Sequence, residues 1–546
     1  MNFKEEFANL LSRYADLEKE EIINLIEVPR NSYGDLAFPV FSISKNPNKT
    51  AEEIAKKLSS ASFEKFQNAG PYINAFIKKE KFVEETLDTI GKDYGKSNLG
   101  KGRTIVIDFS APNIAKPFSV GHLRSTVIGN SLHKLYSNLG YRVIGVNHLG
   151  DWGTQFGKLI TAYKKWGNEK ELAKDPIKYL LGLYVKFHKE AESDKSLEDE
   201  ARNEFRNLEK DNRDSVDLWK KFRDLSLKEF DKVYSLLNIK FDSYNGEAFY
   251  RDMLEDTIKR IRQRTEIENS DGALIVNLKE YGMPPLIIQK SNESTSYHTR
   301  DIAAALYRLK TYNPERIIYV VGSEQKLHFR QLFKTLELMG EDISKFVHVE
   351  FGLFRFSEGR MSTRKGNVVF LEDVLNESIS LAEKTIAEKN PDLKDRKNTA
   401  RMIGIGAVIF GDLSNNRIKN IEFDLKKILS FEGGTGPYIQ YTHARICSIL
   451  RKSKLASAID YSKYSDDEFQ LVKKLSEFPE VISDSALRYK PNLLCTYLIQ
   501  LAQSFNTYYS KNEIKTSKER VFLISKIKQV LGAGMNLLGM EALKRM

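Results

Sequence analysis

Apolar residues recur at helical spacing at the start of the chain, at Phe7, Leu10, Leu11, Tyr14 and Leu17, and predict an opening amphipathic helix. A Pro-punctuated stretch leads to a second helix near Thr50–Leu58, and the apolar run Tyr72–Ile77 behind Gly70-Pro71 predicts a strand. The aperiodic, Gly- and Lys-rich text of residues 91–104 then predicts a linker. At Thr104 the pattern changes. TIVIDFS is a short β-branched run of the kind that forms a parallel strand covered on both faces. After the loop APNIAKPFSVG, residues Leu123, Val127, Ile128, Leu132, Leu135 and Leu139 fall at helical spacing, Gly140 sits where a C-terminal cap belongs, and YRVIGVNHLG is again a strand. Strand, loop, helix, strand is a βαβ unit and predicts a doubly wound sheet.

From about 168 to 240 the chain is helical and highly charged, and β-rich text around DGALIVNL and PLIIQK follows. A stretch that long between halves of one sheet reads as an insertion, at about 168–290. The helix RDIAAALYRL, the strand RIIYVVG, the helix QKLHFRQLFKTLELMG and the strand FVHVEFG resume the α/β alternation, and the sequence is nearly all helical from Leu375 onward. The predicted architecture is multidomain α/β. A small α+β N-terminal domain (1–95) precedes a Rossmann-like catalytic domain with a parallel sheet and insertions (104–370) and an α-helical bundle (371–546).

Composition narrows the class. The 546 residues carry 85 Lys+Arg against 74 Asp+Glu, and 41% are hydrophobic with 11% aromatic, which excludes a disordered chain. Two cysteines, Cys447 and Cys495, exclude a disulfide scaffold and a Cys-rich metal site. The charged N-terminus, without an apolar run, and the absence of any 18-residue apolar stretch predict a soluble cytoplasmic protein with no membrane segment. Residues 401–546 hold 22 basic and 14 acidic residues, so this quarter carries +8 of the net +11 and points to a polyanionic partner.

Three groups of residues carry candidate chemistry. The loop from Asn113 to His122 joins strand to helix where open α/β sheets bind nucleotide phosphates. There Gly121 permits close backbone approach, His122 can donate to a phosphate oxygen and Lys116 adds a mobile charge. The plain alternative is a βα loop whose histidine caps the helix. A second cluster, Arg360-Met361-Ser362-Thr363-Arg364-Lys365-Gly366-Asn367, has the charges and hydroxyls of an anion clamp for a triphosphate, or of a solvated surface loop. The third group is acidic. Tyr297 and Asp301 share a helix face, Glu247 is placed at the end of an insertion strand, and Asp108 lies within the first strand of the sheet. Burying Asp108 requires a positive partner, for which Arg300 is one candidate. The alternative is a ligand bearing a guanidinium and an ammonium, for which carboxylates and a phenol are suitable receptors.

In order and spacing, SAPNIAKPFSVGHLRSTVIGN, NHLGDWGTQFGKLI, SDGALIV, YHTRDIAAALYR, the Arg360–Asn367 loop and GTGPYIQYTHARICSIL resemble the arginyl-tRNA synthetases. The resemblance implies a class I enzyme that activates L-arginine with ATP and Mg²⁺ and transfers it to the 3′-terminal adenosine of tRNA(Arg), generally only once tRNA is bound. Through it, Ser119, Gly121 and His122 match the His-x-Gly-His signature, and Arg360, Met361, Ser362 and Arg364 match the Lys-Met-Ser-Lys-Ser loop. Asp108, Asn113, Glu247, Tyr297, Asp301 and Gln325 match the arginine pocket. Tyr72, Asn74 and Phe76 match the tRNA-elbow contacts of the N-terminal domain, and Tyr438, Tyr441, Tyr508 and Met546 match anticodon contacts. No resident metal is implied, and the expected state is a monomer.

Three departures stand out: Ser119 replaces the first signature histidine, Thr363 the second lysine of the mobile loop, and Asp108 a glutamate. The resemblance implies that Lys116 stands in for the missing lysine. Rival readings are a synthetase of the methionine, cysteine and leucine group, a catalytically retired tRNA-binding paralogue and a non-catalytic arginine- or nucleotide-binding regulator. The acidic pocket, the presence of Gly121, His122 and Asp301, and the basic bundle weigh against them in turn.

Overall fold

The computed structural model describes residues 3–29, 34–291, 294–355, 369–422, 424–454 and 458–546. The chain forms two compact units. One comprises Met1–Tyr94, Ile446–Phe478 and Gln503–Val530, and the other Gly95–Arg445, Pro479–Ala502 and Leu531–Met546.

In the first unit, Tyr72–Ile77 is the central strand of a three-stranded antiparallel sheet, between Leu36–Pro39 and Phe63–Ala69. Alternation sets its faces: Ile73 and Ala75 point into a core with Phe7, Leu11, Phe38, Ile54 and Phe63. The predicted helix near Thr50–Leu58 spans Pro47–Lys57, with Pro47 in its first turn, where no backbone donor is needed. The helix Lys79–Thr89 meets Asp466–Ser476 through the Phe82 and Phe469 rings, 5.6 Å apart, and a Lys79–Asp466 ion pair of 2.6 Å.

The second unit is built on a parallel sheet of β1 (Thr104–Asp108), β2 (Arg142–Val146), β3 (Arg316–Tyr319) and β4 (Phe346–His348), in the order β4-β3-β1-β2. After β1 the chain crosses to one neighbour and later returns to the other. The carboxyl ends of β1 and β3 therefore flank a topological switch point, where open α/β sheets bind ligands. Between β1 and β2 runs α1 (Leu123–Asn138), ending before Gly140 at φ +82°, the left-handed conformation that favours glycine.

The predicted insertion divides in two. Its first part is a helical layer that includes α2 (Arg213–Leu237). Its second part, the antiparallel strands Ile267–Ser270, Ala273–Val276 and Leu286–Gln289, does not stand apart. Val276, Leu286 and Ile288 join one core with Val106, Ile144 and Ile317 of the main sheet, which buries the apolar face of the small sheet. Next come α3 (Tyr297–Tyr312), β3, α4 (Lys326–Leu338) and β4. From Leu371 onward the described chain is helical, including α5 (Arg396–Leu413), apart from Ile421–Glu422, which pairs with Phe354–Arg355. Among the described residues, no helix is long and apolar enough to cross a membrane.

Candidate active site

The site grows out of the carboxyl edge of the sheet. Past β1, Ser110, Ala111 and Ala115 all hold positive φ, of 75°, 46° and 57°. Such backbone persists in residues other than glycine only when its surroundings hold it. Here they do. Ser110 N–H donates to Ser125 Oγ at 2.8 Å, Ser110 Oγ lies 2.8 Å from the Tyr234 hydroxyl, and Ala115 N–H donates to Ser226 Oγ at 2.8 Å. Tyr234 and Ser226 lie on α2, so the helical insertion pins the strained loop.

That loop ends in a turn, Val120–His122, feeding α1. His122 Nδ1 lies 3.2 Å from Ser119 N–H and 3.3 Å from the Ser119 carbonyl, so the ring is held against the backbone of the turn. Burial, assisted by Lys116, pulls the His122 pKa down to about 4, so near neutrality it is a neutral donor. Gly121 is exposed, and Lys116 lies with Nζ 5.6 Å from the centre of the Tyr184 ring.

Residues 147–151, immediately after β2, stitch the remaining pieces together. Asn147 Oδ1 accepts from Ala111 N–H at 3.2 Å, and Ile114 N–H donates to the Gly150 carbonyl at 3.2 Å. A Cβ on Gly150 would sit 2.1 Å from Asn113 Oδ1, so only glycine lets the Asn113 amide lie there. Glu247 N–H donates to the Leu149 carbonyl at 3.0 Å, and the buried Asp151 carboxylate accepts from Ala248 N–H at 2.9 Å and pairs with Arg223 at 3.3 Å.

The acids predicted from the sequence converge here, with two corrections. Glu247 begins the 3₁₀ turn Glu247–Met253 and is not at the end of a strand, because the β-rich text of the insertion starts only at Ile267. The buried partner of Asp108 is Arg308, at 2.8 Å, and not Arg300, which pairs with Glu247 at 2.9 Å. Helix geometry explains the exchange: Arg308 lies two turns beyond Asp301 on the same face of α3, whereas Arg300 is its immediate neighbour and points elsewhere. Asp301 receives His328 Nε2 at 2.8 Å and faces His148 Nε2 at 3.7 Å. His148 Nδ1 in turn lies 3.2 Å from the Arg308 guanidinium.

The electrostatics follow from these partners. Burial pushes the Glu247 carboxyl up to about 7, with Arg300 opposing and Asp301 and Asp151 reinforcing. Burial acts the same way on Asp301, but His328, His148 and Arg300 outweigh it and hold the carboxyl below its ordinary value. Burial also lowers His148. Tyr297 opens α3 half-exposed, its ring 4.0 Å from His298 and 5.2 Å from His328. Gln325 is exposed in the turn just before α4, the helix that carries His328.

The other expected contacts are scattered. Arg360, Met361, Ser362 and Arg364 lie outside the described residues. In the first unit, Tyr72 and Phe76 are partly buried on the central strand, Asn74 is buried between them, and Tyr508 is buried with its hydroxyl 2.6 Å from Glu468. In the second, Tyr438 is partly buried and Tyr441 exposed beneath Arg445, 4.7 Å from the ring centre. Met546 packs beside Ile386 and Ile403, and its carbonyl accepts from Asn390 at 3.1 Å. Sequence reasoning missed His148, Arg308 and His328 as site residues. The signal was available: His148 follows a buried strand, Arg308 shares the Asp301 face and His328 is three residues past Gln325.

The model for tRNA synthetases class I (R), catalytic domain, matches residues 83–425, well over half of the chain. The chain belongs to the arginyl-tRNA synthetases. The arginyl tRNA synthetase N terminal domain matches residues 1–77 and the DALR anticodon binding domain residues 439–546, so all three parts of an arginyl-tRNA synthetase are represented. The chain is 49% identical over 565 residues to the arginine–tRNA ligase of Halothermothrix orenii, with 100% of each covered. Among solved structures, the arginyl-tRNA synthetase of Thermus thermophilus superposes with a TM-score of 0.81 at 23% identity, covering 100% of this chain and 99% of that one. That of Plasmodium falciparum gives 0.78 at 25%, covering 100% and 98%.

Proposed function

We propose that this arginyl-tRNA synthetase activates L-arginine in the cleft at the carboxyl ends of β1 and β3. The arginine carboxylate attacks the ATP α-phosphorus in line, the bond to the β-phosphate oxygen breaks, and pyrophosphate leaves with arginyl-adenylate formed. A hydroxyl of the 3′-terminal adenosine of tRNA(Arg) then attacks the adenylate carbonyl and AMP departs. No protein nucleophile enters, so the protein contributes positioning and charge stabilisation. Mg²⁺ arrives as the counter-ion of ATP.

In this reading the strained 109–122 loop receives ATP, with Ser119 and neutral His122 as donors, Gly121 as the close approach and Lys116 as a charge. Arg360, Met361, Ser362 and Arg364 supply the second clamp. Asn113, Tyr297, Asp301 and Gln325 receive arginine. Asp108 and Glu247 act beside them while held by Arg308 and Arg300. The N-terminal unit contacts the tRNA elbow through Tyr72 and Phe76, and the basic helices receive the anticodon through Tyr438, Tyr441 and Met546. The protein works as a cytoplasmic monomer.

The observation that carries the arginine reading is the convergence of Asp108, Glu247 and Asp301 at the switch point of the sheet, a cluster with no use in a purely nucleotide-binding cleft. The test is arginine-dependent ATP–pyrophosphate exchange with and without tRNA(Arg), using lysine and methionine as controls. Exchange with arginine alone among the amino acids supports the reading, and exchange with lysine or methionine, or none at all, overturns it.

A further inference from the structure

The three pocket acids are not equivalent in their partners. Asp108 is paired with the Arg308 guanidinium at 2.8 Å and Glu247 with that of Arg300 at 2.9 Å. Asp301 is flanked by imidazoles instead, His328 Nε2 at 2.8 Å from Oδ2 and His148 Nε2 at 3.7 Å from Oδ1. Elementary donor and acceptor rules fix the tautomers. A guanidinium can only donate, so His148 Nδ1 accepts from Arg308 and its proton sits on Nε2, facing Asp301. A carboxylate oxygen accepts, so His328 presents Nε2–H to Asp301, and its buried Nδ1 has no hydrogen-bond partner among the described residues. Oδ2 thus accepts the His328 N–H, while His148 stands beside Oδ1 at 3.7 Å, outside hydrogen-bond reach, its buried Nε2 without a hydrogen-bond partner among the described residues. His148 comes from the loop after β2 and His328 from α4, elements on opposite sides of β1.

We propose that His328, with His148 beside it, is a positioning residue that sets specificity for the guanidinium of arginine. By orienting the Asp301 carboxylate through the His328 N–H, this arrangement leaves Asp301 as the one of the three acids that, among the described residues, has no protein guanidinium paired with it. An arginine or lysine in place of either histidine would fill the position the substrate needs, whereas an imidazole fixes the carboxylate and leaves its charge for the ligand. The inference rests on the reading of Asp301 as the guanidinium receptor.

The experiment uses the full chain with tRNA(Arg) and ATP–pyrophosphate exchange, with KM measured separately for arginine and for ATP. Gln at position 328 keeps a donor close to the place of Nε2, and Asn does not. His328→Asn is expected to raise the KM for arginine roughly 10–100-fold while leaving that for ATP within about twofold, the usual scale for losing an orienting partner. His328→Gln is expected to recover most of the loss. Equal behaviour of Asn and Gln, or parallel rises in both KM values, would overturn the proposal, since a merely structural role does not distinguish the amides or the substrates. Asp301→Asn separates the two ideas. If it leaves the arginine KM unchanged, Asp301 is not the receptor. If it raises the KM while His328→Asn does not, the receptor stands and the positioning role falls.

Discussion

The ion pair between Arg124 and Asp412 offers a demanding test of how this catalytic unit is held together. Arg124 is the second residue of α1, directly after the turn carrying His122, and Asp412 is near the end of α5, and both side chains are 1% exposed. The pair is 3.1 Å apart, and the same guanidinium donates to the carbonyls of Gly352 at 2.6 Å and Lys419 at 2.9 Å. Asp412→Ala strands a buried guanidinium that cannot shed its proton, which costs about 3–5 kcal/mol. Against a total stability of about 5–15 kcal/mol, that is a large fraction, and with a urea dependence of about 2–3 kcal/mol/M it lowers the midpoint by roughly 1–2 M. Replacing both partners with leucine usually restores a buried pair. Here it does not, because the two carbonyls lose their donor at about 1–3 kcal/mol each. Urea titrations of wild type, Asp412→Ala and the double variant supply the comparison, with the exposed Asp199–Arg202 pair as control, where Asp199→Ala costs under about 1 kcal/mol. An Asp412→Ala cost as small as that of the control, or a double variant equal to wild type, would refute the reasoning.

Three further expectations follow from individual contacts. The Glu247 carboxyl is pushed up to about 7, above its unfolded value, so its contribution to stability is complete in acid and is lost as pH rises through 7. Melting curves from pH 5 to 9 should therefore show Glu247→Gln gaining on wild type toward high pH, and a constant gap would contradict the assignment. A Cβ on Gly129 of α1 would lie 2.3 Å from the Phe109 side chain at the entry to the strained loop. Gly129→Ala should destabilise by about 1–3 kcal/mol in denaturant titrations, although helix propensity alone favours alanine by about 1 kcal/mol, so the sign decides. Ser226→Ala removes the acceptor of the Ala115 N–H, and should cost about 1–3 kcal/mol and lower kcat for pyrophosphate exchange; unchanged stability and rate would mean that α2 does not hold the loop.

The sequence alone was enough for whatever depends on local pattern or on long ordered motifs. The apolar runs TIVIDFS and YRVIGV are strands because parallel strands covered on both faces need no polar alternation, and the helix that starts at Leu123 stops at Gly140 because only glycine takes the left-handed cap freely. The motifs identified the family, and Tyr297 and Asp301 were legible as one helix face. What lay beyond reach was anything set by partners distant in the chain. Asp108 plainly needed a cation, and helix periodicity separates Arg308 from Arg300, but which face of α3 meets β1 is set by packing, and that packing selects Arg308. Glu247 seemed to end a strand, and the fold places it in a turn tied to Leu149. Asn74 and Tyr508 look like exposed contacts until burial is known. His148 and His328, 180 residues apart, flank one carboxylate because strand order brings the loop after β2 and the start of α4 to the same end of the sheet, a relation no one-dimensional period encodes.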